Sequence, residues 1–234
     1  MTLCWLAQSV PKAGNATHEN EDRCQGRSLD EGSRLRIAVA DGATESIFAG
    51  EWAEALVESW CDGGDLEATV LGKARDHWRR SLPREEQLPW YALAKLGNGS
   101  HATAAFLEVT EAEEGVSWAA SVVGDCVVFI RRSKDRLTVP SEPRFDSFPA
   151  LLATTASAPA RLVVKAGRTT RLLDIWIATD ALASALIARR RHPRWSEWER
   201  ALGDPSRFAA LVEAWRHRGM LRNDDVTLAR VWVT

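Results

Sequence analysis

Residues 34–42 read Arg34-Leu35-Arg36-Ile37-Ala38-Val39-Ala40-Asp41-Gly42. Leu35, Ile37 and Val39 alternate with the remaining side chains, the period of a half-buried strand. The strand runs straight into Asp41-Gly42, so an acidic side chain sits at its end. Elsewhere Leu172 to Thr179 is a β-rich run that ends at Asp180, and Asp224-Asp225 precede the closing run Val226 to Val233. Two strand-like runs, Val116 to Val123 and Cys126 to Arg131, flank Gly124-Asp125, a pair suited to a tight hairpin turn.

The intervening segments alternate between strand and helix in blocks. Thr2 to Val10 is a further strand, followed by a polar loop up to Asp22, and Glu21-Asp22 opens a short strand-like stretch. Ser46 to Cys61 carries Phe48, Trp52, Ala55 and Leu56 at helical spacing. Helices are expected over Asp65 to Leu82, stopped by Pro83, and over Gln87 to Lys95. Ala102 to Val109 returns to strand. Asp204-Pro205 followed by Gly219 brackets a helix with an N-cap, a proline at its first position and a C-terminal glycine. Its apolar face is Phe208, Leu211, Val212 and Trp215. This order lacks the strand-helix alternation of a parallel sheet and predicts an α+β domain spanning residues 1–234, with antiparallel sheets covered by helices.

Composition narrows the function classes. A formal charge of −2 over 234 residues gives no bulk electrostatic case for a nucleic-acid or membrane partner. No apolar run reaches the roughly twenty residues of a membrane span, and the first residues lack a signal-peptide pattern, so a cytoplasmic location is expected. Cys4, Cys24, Cys61 and Cys126 lack metal-ligand spacing and read as free, largely buried thiols. The eleven tryptophans read as core.

The acidic residues at strand ends are the chemical signal. Glu21, Asp22, Asp41, Asp125, Asp180, Asp224 and Asp225 converge if their strands are neighbours. Taken singly, Asp125 serves as a turn residue and Asp180 as a helix cap. Together they need compensation, because like charges about 4 Å apart repel by roughly 4 kcal/mol at an effective dielectric near 20. Either protons or cations must neutralise them. An all-oxygen donor set favours Mg²⁺ or Mn²⁺ over zinc.

Six segments in order resemble the successive motifs of the PP2C-type Ser/Thr protein phosphatases, and of their bacterial branch in particular. They are Asn20-Glu21-Asp22-Arg23, Val39-Ala40-Asp41-Gly42, Gly99-Ser100-His101-Ala102-Thr103-Ala104, Val123-Gly124-Asp125, Ala178-Thr179-Asp180 and Asp224-Asp225-Val226-Thr227. The resemblance implies a four-layer α-β-β-α sandwich with two central antiparallel sheets. It further implies hydrolysis of phosphoserine or phosphothreonine in proteins by a hydroxide bridging two Mg²⁺ or Mn²⁺ ions, with a weaker third ion. Asp41 would bridge the two metals, aided by the Gly42 carbonyl. Asp180 and Asp224 would complete the first site, Glu21 and Asp22 would flank the second, and Asp125 would serve the third together with Asp180. Asp41, Asp180 and Asp224 are thus the implied catalytic set. The implied partners are a phosphoprotein and, by analogy alone, a Ser/Thr kinase or its targets.

Four positions depart from the family pattern. Thr17 stands where many members carry a phosphate-clamping Arg, leaving Lys12, His18 or Arg23 as substitutes. Ala43 removes a histidine that some members place after Asp-Gly. Ala181 replaces a usual Gly, and Asp225 replaces a common Asn. The missing Arg motivates an alternative: a weak or inactive PP2C-like module that binds metal or phosphoprotein and regulates. A haloacid-dehalogenase-type reading of Val39-Ala40-Asp41-Gly42 fails, because the nucleophilic Asp that chemistry needs is Val39. The basic run Arg189-Arg190-Arg191-His192 reads as a solvated helix end or a docking point for phosphoprotein.

Overall fold

Strand β3 (Arg34–Gly42) carries the expected alternation, but it is buried on both faces: Leu35 and the residues from Ile37 to Ala40 are inaccessible to solvent. The reason is visible in the computed structural model of the chain, which describes residues 1–131, 136–145, 149–155, 161–169, 174–189 and 194–234. Leu35, Ile37 and Val39 point between two sheets, while Ala38 and Ala40 lie under helix α1 (Ala49–Cys61). Small side chains on that second face let the helix close onto the strand.

One sheet has the order β1 (Leu3–Val10), β11 (Val226–Val233), β10 (Asp174–Ala178), β6 (Val127–Arg131), β7 (Arg136–Val139). The other runs β2 (Asp22–Leu29), β3, β4 (His101–Ala112), β5 (Gly115–Val123), β9 (Val163–Thr169), and a short β8 (Leu152–Ala153) also pairs with β4. All pairings are antiparallel. Between the sheets lies a core that includes Ile37, Val39, Leu107, Val128, Ile175, Ile177 and Val231. On the outer side of the second sheet, Phe106 packs with Trp52, Leu56 and Trp60 of α1 and with Trp78 of α2 (Leu71–Ser81). On the outer side of the first, Phe129 and Trp176 meet α4 (Asp180–Ala188), α5 (Trp195–Leu202) and α6 (Pro205–His217). The layers are therefore α-β-β-α, as expected. Most tryptophans are core, with Trp198 stacked edge-on against Trp215 at 4.9 Å and against Phe208 at 5.8 Å.

The hairpin expected at Gly124-Asp125 does not form. Strands β5 and β6 belong to different sheets, and the turn is the corner where the chain crosses from one to the other. Gly124 has φ +85°, and a Cβ there would lie 2.4 Å from Thr103 Cγ2. The true hairpin joins β4 to β5, with Ala112 opposite Gly115. Alternation marks both strands correctly; it does not say which sheet each one enters.

Helix boundaries shift for local reasons. Helix α1 begins after Phe48, which is held at φ +54°, rather than at Ser46. The helix expected from Asp65 starts with a wide π turn over Leu66–Val70, capped by the Asp65 carboxylate on the Glu67 and Ala68 amides. Asp204 caps α6 in the same way. Helix α3 (Trp90–Leu96) starts after Pro89. Strands β7, β8 and β9 are additions to the sequence reading. Residues 172 and 173 of the expected strand and residues 190–192 of the basic run lie outside the described residues. Among the described residues, no helix is long and apolar enough to cross a membrane.

Replacing Trp198 with Ala removes the ring shared by α5 and α6. The expected loss is about 3–5 kcal/mol of unfolding free energy, read from the midpoint shift in urea denaturation at unchanged slope.

Candidate metal centre

Register sets the first pair of carboxylates. Asp22 opens β2, Asp41 lies near the end of β3, and the two are direct cross-strand partners. Asp180 is the first residue of α4, immediately after β10, and Asp125 sits at the corner between the sheets. Carboxylate oxygens of Asp41, Asp125 and Asp180 all lie within 4.8 Å of one another. Residues more than a hundred positions apart thus meet at one end of the sandwich.

Hydroxyls between the sheets orient this group. Thr179 Oγ1 donates to Asp22 Oδ2 at 3.0 Å and accepts from the Thr227 amide at 3.0 Å. The Asp22 amide donates to Asn20 Oδ1 at 2.9 Å, Asn20 Nδ2 donates to Ser9 Oγ at 2.8 Å, and Ser9 shares a 2.7 Å hydrogen bond with Thr227 Oγ1. Gly42 gives α1 room: a Cβ at this position would lie 2.7 Å from the Ala49 carbonyl group.

Concentrated negative charge is evident in the acidities. Burial, followed by Asp22, Asp125, Asp224 and Asp225, raises the Asp41 carboxyl well above the ordinary range. Burial also lifts Asp22 to about 7, with Asp225 and Asp224 adding to the rise and hydrogen bonds from Thr227 and Thr179 opposing it. Glu21 is raised as well, chiefly by burial, against a Thr44 hydrogen bond and the charge of Lys12. Asp22 Oδ1 is buried with no hydrogen-bond partner among the described residues. Clustered oxygens and an orphaned carboxylate atom fit a hard divalent cation, which would satisfy the lone pairs and remove the repulsion.

The other expected residues fall around this group. Asp224 lies outside the three-carboxylate set and is 40% exposed; it is tied to Asp180 through Arg222, whose Nη2 pairs with Asp180 Oδ2 and whose Nε lies 3.3 Å from Asp224 Oδ2. Glu21 is half-buried beside the group. Of the three expected phosphate-binding cations, Arg23 is turned toward α1, bonded to the Asn20 and Asp22 carbonyls and 3.4 Å from Glu54 Oε2. His18 is exposed on the turn Thr17–Glu19, and Lys12 faces Glu21 electrostatically. Arg189 reaches the Met220 carbonyl at 3.4 Å and lies over the Trp215 ring.

Asp225 has a role that the sequence left open. Its carboxylate accepts the Lys12 amide at 2.8 Å and the Glu21 amide at 2.7 Å, so it clips both ends of the loop between β1 and β2. Asn223 exchanges two hydrogen bonds with the Ala13 backbone, at 2.7 and 3.3 Å. Arg216 joins the Pro11 and Asp224 carbonyls at 3.0 and 2.6 Å. Arg222, Asn223 and Arg216 gave no sequence signal as site residues. An Asp in place of Asn beside Asp224 was the one visible hint of the clip.

No protein-family model matches the chain, and no curated protein does. Solved structures do. The chain is similar to the photosystem II phosphatase PBCP (TM-score 0.61, 15% identity, 99% of both chains covered). It is similar to the catalytic domain of the serine threonine protein phosphatase PstP in complex with 2 manganese ions (TM-score 0.60, 16% identity, 99% of both chains). RsbX in complex with magnesium matches with a TM-score of 0.59 and 17% identity, over 99% of this chain and 96% of that one. The chain has the PP2C-type phosphatase fold.

Two outcomes follow from the site's electrostatics. In metal-free protein the folded state holds a proton on Asp22 up to about pH 7, whereas an unfolded Asp releases it near 4. The stability that this proton confers is complete below pH 4 and is lost as pH rises through 7. Asp22→Asn should therefore melt close to wild type at pH 5 and clearly above it at pH 8 in EDTA; equal differences at both pH values would contradict the assignment. Asp225→Ala leaves two loop amides without their acceptor and should cost about 2 kcal/mol, measured by urea unfolding.

Proposed function

We propose that the protein is a Mg²⁺- or Mn²⁺-dependent phosphatase acting on phosphoserine and phosphothreonine in proteins. The observation that supports it most is the meeting of Asp41, Asp125 and Asp180, with their carboxylate oxygens within 4.8 Å of one another and Asp22 opposite Asp41. Isolated from cations, such a group raises its own pKa values and so weakens its acids, an arrangement that structural needs alone do not call for.

Each residue has a role in this reading. Asp41, Asp125 and Asp180 hold cations directly, with Asp224 completing the site beside Asp180 and the Gly42 carbonyl as a further donor. Asp22 and Glu21 lie on the opposite side, Asp22 held in orientation by Thr179. Bound divalent ions supply charge neutralisation, polarisation of the phosphoryl oxygens and water of lowered pKa for in-line attack on phosphorus. Asp225 keeps Lys12 and Glu21 at the mouth of the site by clipping their backbone. A phosphoprotein, including a Ser/Thr kinase or its targets, is the partner class in this reading.

Like the chain, PstP and RsbX span the fold, and each was solved with a divalent metal. Thr17 is the observation that favours the second reading, a module that binds but does not hydrolyse. Phosphate release from a phosphothreonine peptide with Mn²⁺ separates the two. Asp41→Asn should lower the rate at least about a hundredfold, nearly 3 kcal/mol of barrier. Equal release by both proteins would sink the phosphatase reading. Mn²⁺ uptake without release from any phosphopeptide would leave the binding module.

A further inference from the structure

Asp180 and Asp224 bring two carboxylates to one edge of the site, and a single guanidinium bridges them. Arg222 lies two residues before Asp224, on the turn leading into β11. Its Nη2 pairs with Asp180 and its Nε with Asp224, so the Nε–Nη2 edge of one planar cation serves two acids. The Arg222 side chain is 46% exposed, whereas that of Asp180 is 13% exposed. The Arg222 side chain thus meets the acidic group while nearly half of it stays open to solvent.

Three other basic residues near the site are otherwise placed. Arg23 is spent on backbone carbonyls and Glu54, and Arg216 on the Pro11 and Asp224 carbonyls. His18 is exposed on its turn. Arg222 alone among these touches the carboxylates themselves, and it does so with a fork that matches a phosphoryl group as well as it matches a carboxylate.

We propose that Arg222 is the phosphate-binding residue of this site, seated on Asp180 and Asp224 in the metal-free protein and turned to the substrate's phosphoryl oxygens once those acids are committed to a divalent cation. The proposal rests on the metal-dependent reading above. Its physical basis is competition. The guanidinium and a divalent cation are alternative partners for the same two carboxylates, so binding of one releases the other. A released Arg on a half-exposed stem sits beside the place where an anion must arrive. Phosphate capture then comes from the β11 side of the site, and the Thr17 side does not need an Arg.

The test is calorimetry on the full chain with Mn²⁺ alone, then with inorganic phosphate at saturating Mn²⁺. Arg222→Gln should bind Mn²⁺ about five- to tenfold more tightly, since one charge-assisted competitor is gone. It should bind inorganic phosphate about tenfold or more weakly, the cost of losing a charged hydrogen-bond partner. Arg27→Gln removes a surface charge that is paired with Asp62 and takes no part in the site, and it should leave Mn²⁺ affinity within about twofold of wild type. Arg222→Lys keeps the charge without the fork and should fall between wild type and Gln in both titrations. Unchanged or weaker Mn²⁺ binding by Arg222→Gln, unchanged phosphate binding, or an equal gain from Arg27→Gln overturns the proposal while leaving the phosphatase reading intact. Absence of Mn²⁺ binding in every protein overturns both.

Discussion

Everything at this site follows from placing negative charge where the fold cannot dilute it. Asp22 and Asp41 are fixed opposite each other by a backbone ladder, which no side-chain rearrangement relaxes. Asp125 arrives at a corner whose glycine admits no side chain, and Asp180 at the first turn of a helix packed under the adjoining sheet. Each position is set by burial of apolar neighbours such as Val39, Val123 and Ala178. The core therefore supplies the free energy that holds the acids together, at roughly 25 cal/mol for each Å² of apolar surface removed from water. The cost appears as the raised pKa of Asp41 and Asp22.

A second layer of polar contacts turns this crowding into a defined geometry. The hydroxyls of Ser9, Thr179 and Thr227 span from one sheet to the other and end on Asn20 and Asp22. Buried hydroxyls of this kind cost little when each finds a partner and a good deal when one does not. On the rim, Asp225, Asn223 and Arg216 bind the loop between β1 and β2 to the turn before β11. The two loops are one hydrogen-bonded unit, so a change on either is felt on the other. This gives a physical sense to the exchange of Asn for Asp at position 225: a carboxylate accepts two backbone amides at once, and an amide side chain has one acceptor oxygen to offer.

Much of this was legible in the sequence, and the reasons are specific. Leu35, Ile37 and Val39 carry a period of two, and the Asp that follows is the residue through which the strand meets the site. Asp204, Pro205 and Gly219 punctuate α6 with local chemistry that tertiary contacts do not override. Asp41 and Asp180 were singled out because they end strands and Asp125 because it sits in a turn between two, and they meet. What was hidden is long-range. The runs on either side of Gly124-Asp125 look like hairpin arms, because alternation is blind to which sheet receives a strand. The outer face of β3 looked solvent-exposed because alanines carry little apolar signal, and only the docking of α1 reveals it as buried. Arg222 was silent because an arginine in a polar turn is ordinary until its partners are known.

The likeness to phosphatases at 15% to 17% identity over nearly the full chain has the same explanation. Two-sheet cores accept most exchanges that keep volume and pattern, so the interior drifts freely while the fold persists. What the chain shares with those structures is the arrangement of two sheets, and it is this arrangement that brings Asp41, Asp125 and Asp180 together from distant positions in the chain.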